Sequence, residues 1–230
     1  MASKIICLLA VLCAMQVAHA TSVQKRDALQ DIINAALQPI ALIQSQIEPI
    51  ISQAQGLIQA VQTQIANVIS SIIADLLAKA NAVQAQIAVL AAIPGCAIGQ
   101  AGNVTQIAIQ AGQDLQAIAV NQLNPFLSKV ADLVSIGLQA AKLFQDTQAS
   151  LSSISILDLG AIANIPNVAA NALSKGLLYV SSATADLVYL STQLPIVAIQ
   201  IPTLLTAEAA KVSQQINDVL KSVQSCASSG

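Results

Sequence analysis

Few side chains in this sequence could do chemistry, and their spacing argues against it. The 230 residues carry nine Lys and Arg, eleven Asp and Glu and one histidine, His19. That histidine falls in residues 1–20, which read as a secretory leader. Lys4 gives the positive start, Ile5 to Val17 the short apolar core, and Ala18-His19-Ala20 a small-x-small cleavage site. A chain that begins after Ala20 has no imidazole. Neither a Ser-His-Asp nor a Cys-His arrangement can then be assembled, because both need that ring to take the nucleophile's proton. Ser128-Lys129 and Ser174-Lys175 are formal Ser-Lys pairs, but neighbours on a helix point in different directions. Asp75, Asp114, Asp132, Asp158 and Asp186 are dispersed, mark solvent faces and lack calcium-loop spacing. Gly95 to Gly102 has neither the preceding strand nor the lysine of a phosphate loop. The sequence therefore predicts a protein that is not an enzyme, with no catalytic, cofactor-binding or metal-ligating residue.

The remaining reactive groups suggest processing rather than catalysis. Cys7 and Cys13 leave with the leader, and Cys96 and Cys226 remain. In a secreted chain an even pair predicts a disulfide. It would tie the C-terminus to the turn after the first helical region; the alternative is a bridge between chains. Two thiols with no histidine make a poor metal site. Asn103-Val104-Thr105 is an N-glycosylation sequon in a predicted loop, or else a helix N-cap. Lys25-Arg26, at the end of a polar lead over residues 21–26, is either a proprotein cleavage site or a solvated entry to a helix.

The elements that would carry these groups are helices. From Leu29 to Leu90 the apolar positions advance by three and four, averaging about 3.6 residues per step, which is the α-helical period. Asp27 and Gln30 resemble a capping box. Pro39 and Pro49 should kink or split this region, Gly56 is a further candidate break, and Pro94-Gly95 should end it. Further helices are predicted over residues 103–122, 124–149 (with Asn124-Pro125 as N-cap and first turn), 166–193 and 202–224. A looser segment lies over 150–166, a short connector over 196–201 and a flexible tail over 227–230. Val/Ile-Gln-x-Gln-Ile recurs at Ile43–Ile47, Val61–Ile65 and Val83–Ile87, with a looser copy at Val212–Ile216. The first three start 18 and 22 residues apart, each close to a whole number of turns, so they share a face. Either composition in a Gln-rich helix or duplication of an amphipathic unit accounts for the echo.

Composition sets the fold class and the partners. Hydrophobic residues form 55% of the chain, charged residues 9% and aromatics 2%, so the core must be aliphatic. The expected fold is all-α: one domain over residues 27–226, a bundle of long antiparallel amphipathic helices, compact or elongated, with one disulfide. Arg26 is the only arginine and no basic cluster exists, which excludes nucleic acid as a partner. Residues 187–207 lack charge, but two prolines and two glutamines make them a poor span, so no integral membrane segment is expected. Gln, Ser, Asn and Thr take the positions where amphipathic helices usually carry Lys and Glu.

In general style the chain resembles exchangeable apolipoproteins, with long amphipathic stretches, occasional prolines and repeats near 22 residues. It departs from them in lacking their Lys and Glu. It also resembles the uncharged helical terminal domains of silk proteins. The expected function is that of a secreted, extracellular, non-enzymatic protein acting through amphipathic helices. It would bind lipid or another apolar ligand, or adsorb at apolar interfaces. The alternative is a structural component of an extracellular material such as silk, a coat or a lining, built by helix self-association into homo-oligomers.

Overall fold

The computed structural model describes residues 22–90 and 100–229, with side chains from Asp27 to Leu90 and Gln100 to Ser228. The expected leader, residues 1–20, and Cys96 lie outside the described residues. Three helices hold all of them except residues 153–158: α1 (Ser22–Leu90), α2 (Gln100–Ser152) and α3 (Leu159–Ser229). The all-α bundle expected from the 3.6-residue period is what forms, and no strand occurs among the described residues.

Fewer, longer helices form than the punctuation predicts. α1 continues through Pro39, Pro49 and Gly56, α2 through Asn124-Pro125, and α3 through Pro166, Pro195 and Pro202. Asn124-Pro125 therefore caps nothing, residues 196–201 are helical rather than a connector, and the loose segment shrinks to residues 153–158. Asp27 also lies inside α1, which begins at Ser22, so it does not cap it. A mid-helix proline removes one backbone bond and leaves one carbonyl unpaired. All six prolines here are exposed or half-exposed. On such a face water takes the freed carbonyl, and the apolar stripe on the other side is not interrupted.

The chain forms two compact units, each built from all three helices. One joins α1 as far as Gln55 to residues 129–189; the other joins residues 56–90 and 100–128 to residues 190–229. In the first unit, Ile33, Ala36 and Leu37 of α1 pack with Leu151 of α2 and with Ile165 and Ala169 of α3. Ile43 and Ile47 pack with Ala140 in a second cluster, flanked by Ile51, Leu173 and Tyr179. In the second unit the fully buried side chains are again aliphatic, among them Ile87, Leu115, Leu194, Ile201, Leu205 and Ile216. The repeated Val/Ile-Gln-x-Gln-Ile segments behave as their spacing requires. Ile43, Ile47, Ile65, Val83 and Ile87 are buried, whereas Gln44, Gln46, Gln62, Gln64 and Gln86 are exposed.

Contacts fix direction and register. α1 and α3 run the same way: Ile33 clusters with Ile165 and Ile43 meets Gly176 in the first unit, and Lys79 meets Ser213 in the second. α2 runs against them, with Gly112 beside Ile73 and Gln84 Nε2 donating to Ala101 O and Thr105 Oγ1. Two glycines of the first unit permit close approach. A Cβ on Gly137 would lie 2.6 Å from Ile51 Cδ1, and one on Gly176 would meet Ile43 at Cδ1, with Cγ2 and Cγ1 only 3.2 and 3.3 Å away. Asp158 opens α3 as its cap, its Oδ1 accepting from Ala161 N at 2.8 Å.

Candidate functional site

The residues with chemical potential end up apart. Lys129 turns from Ser128 to Asp186 on α3, where its Nζ donates to Oδ1 at 2.9 Å. That hydrogen bond first, and the charge attraction of Asp186 next, hold the Lys129 pKa above the ordinary lysine range, against a lesser effect of burial. Asp186 is thus a half-buried ion-pair partner rather than a solvent marker; Asp75, Asp114, Asp132 and Asp158 are exposed as expected. Ser174 and Lys175 are exposed neighbours on α3.

The contact that sequence spacing could not reveal is Lys79 with Ser213, residues far apart in the chain on α1 and α3. Lys79 donates to Ser213 Oγ. A Ser-Lys nucleophile also needs free backbone N–H groups to hold an oxyanion. Both residues lie in mid-helix, where those N–H groups are committed to the helical ladder. The pair joins α1 to α3.

Asn103 is exposed in the first turns of α2, not in a loop, and its Nδ2 donates to Gln100 Oε1 at 3.3 Å. Lys25 and Arg26 are in the first turns of α1. Cys226 is near the end of α3, in the same unit as Leu90 and Gln100, the residues that border the segment containing Cys96. No group of three or more His, Cys, Asp or Glu suited to a metal occurs among the described residues.

Shallow clefts occur between the helices, two of them among the described residues of separate units. One of about 180 Å³ lies between α1 and α2 in the first unit, lined by Gln44, Ile47, Glu48, Ile51, Gly137 and Leu138. The other, of about 300 Å³, lies between α1 and α3 in the second, around Asp75, Leu76, Lys79, Thr206 and Ser213. Both are open to solvent along one side, unlike the enclosed pockets that hold small ligands.

The outer surface is more distinctive than either cleft. Leu138 is 68% exposed, Leu178 65%, Ile199 73% and Val120 59%. Asp27–Leu90 and Leu159–Ser228 are each long and apolar enough to cross a membrane by length and composition, yet only 17% and 22% of their most apolar windows are buried. Apolar surface therefore faces outward between neutral amides and hydroxyls. No family model, curated protein or solved structure matches the chain.

Proposed function

We propose that this is a secreted, non-enzymatic protein that adsorbs to lipid or to other apolar interfaces through its helix surfaces. The observation that carries this reading is the set of large aliphatic side chains standing exposed on a nearly uncharged helical surface, above a core that is itself aliphatic. Such side chains gain roughly 25 cal/mol per Å² of apolar area when an interface covers them. The scarcity of charge lowers the cost of bringing the neighbouring surface out of water. The leader-like N-terminus and the sequon at Asn103 support secretion, and a Cys96–Cys226 disulfide suits an extracellular chain. Carried along from Lys79 and Ser213, the α1–α3 register brings Cys226 to about the level where α1 ends, close in the chain to Cys96. That favours a bridge within one chain.

Vesicle clearing and surface tension test the reading. Micromolar protein should clear zwitterionic phospholipid vesicles or lower the tension of an air–water surface. Failure in both overturns it. The second reading, a self-associating component of an extracellular material, is favoured by the exposed glutamines of α1. Their amides can bond to one another across copies, and little like-charge repulsion opposes assembly. Sedimentation separates the two, because a chain that stays monomeric under oxidising conditions cannot build a material.

A further inference from the structure

The register of the second unit brings together something no single helix reveals. Gly112 beside Ile73 and Ser213 beside Lys79 set α1, α2 and α3 side by side over residues 56–74, 115–128 and 190–207. None of these three stretches contains an ionisable residue. Charges resume together on one side of the belt, with Asp75 and Lys79 on α1, Asp114 on α2, and Glu208 and Lys211 on α3. The three charge-free segments coincide over the span of the shortest, residues 115–128, or about 21 Å at the helical rise.

The belt has two different sides. On α1 its exposed residues are small or polar, the amides Gln59, Gln62, Gln64 and Asn67 among Gly, Ala, Ser and Thr, with no large aliphatic side chain. On α3 they include the apolar Pro195, Ile196, Ile199 and Leu204, set among Ser, Thr and Gln side chains, with Ile196 48% and Ile199 73% exposed. We infer that the outward face of α3 within this belt is the docking surface for a lipid layer of no net charge, such as zwitterionic phospholipid. Neutrality chooses the occupant. An anionic layer is recognised by clustered Lys and Arg, and the belt has none. The α1 side of the belt exposes amides and hydroxyls and no large aliphatic side chain, so the face lies on the layer rather than spanning it. The inference rests on the adsorption reading above and locates it.

The test measures partitioning of the full secreted chain onto phosphatidylcholine vesicles by co-flotation. Ile196→Lys and Ile199→Gln alter the α3 face of the belt, and Gln62→Lys and Asn67→Lys alter exposed amides on its α1 side. Circular dichroism checks helicity in each. The belt variants should lose about tenfold or more in partitioning, the factor implied by withdrawing one aliphatic side chain from the layer. The controls should stay near wild type, and added salt should change little. If wild type binds no vesicle, the belt assignment falls, and the adsorption reading falls with it only if the air–water surface tension is also unchanged. If wild type binds but the belt variants match it, or the controls lose as much, the belt assignment falls and adsorption stands. Binding confined to anionic vesicles also overturns it. So does a wild-type oligomer that the belt substitutions dissociate with no change in lipid partitioning, because a second copy is then the occupant.

Discussion

At the scale of single residues, the notable positions are where a helix approaches another too closely for a side chain, or where a charge crosses between helices. A methyl group at Gly176 would press on three carbons of Ile43, a branched side chain with little freedom to yield. Gly176→Ala should therefore destabilise by about 1–3 kcal/mol from overpacking, less the helix-propensity gain of roughly 1 kcal/mol. Adding Ile43→Val, which removes Cδ1, should recover part of that loss. Gly56 has nothing within 4 Å of the same position, so Gly56→Ala should stabilise by about 0.5–1 kcal/mol. Urea unfolding of the three variants checks both signs.

The Lys129–Asp186 pair gives a pH prediction at the same scale. Its lysine pKa is raised in the folded chain, so the stability it contributes is fully present below the ordinary lysine range. That stability is lost as pH rises through the raised value. The stability difference between wild type and Lys129→Gln should be steady at neutral pH and shrink in the alkaline range. Denaturant midpoints across a pH series measure it, and a difference that grows with alkalinity would contradict the assignment. The pair was not legible in the sequence. Asp186 looks like any other dispersed acid until α3 is laid beside α2.

At the scale of elements, the apolar period predicted helices correctly, and Pro39, Pro49, Pro125, Pro166, Pro195 and Pro202 did not mark helix ends. Proline and Asn-Pro are local signals, and they report the cost of one missing bond. The continuous burial of a face such as Ile40, Ile43, Ile47, Ala54 and Ile58 runs past Pro49 and outweighs it. Because Pro49 is exposed and its ring serves no core contact, Pro49→Ala should restore a backbone bond and stabilise by roughly 1–3 kcal/mol. Thermal unfolding followed by circular dichroism tests this, and a lower midpoint would mean the proline bend itself is needed. Asp158 shows the opposite failure: it was legible as a polar residue, but its capping role depended on the true start of α3 at Leu159.

At the scale of the whole molecule, the chain puts its aliphatics both inside and outside and keeps charge sparse. The proposed bridge between Cys96 and Cys226 acts at this scale, closing a loop long enough to contribute about 5 kcal/mol in the chain-entropy relation. Cys226→Ser should lower stability by up to that amount while leaving a monomer unchanged in size on a non-reducing gel. Loss of a dimer band instead would show that the bridge joins two chains.

Composition and period alone determined that this chain would be helical, aliphatic in its core and poor in catalytic groups, because burial stripes and missing side chains are properties of the sequence itself. The number of helices, the meeting of Lys79 with Ser213, the Lys129–Asp186 pair and the alignment of three uncharged stretches into one belt were decided only by tertiary packing. Each depends on the register between segments far apart in the chain, and register is set by how side chains such as Ile43 and Ile73 seat against Gly176 and Gly112.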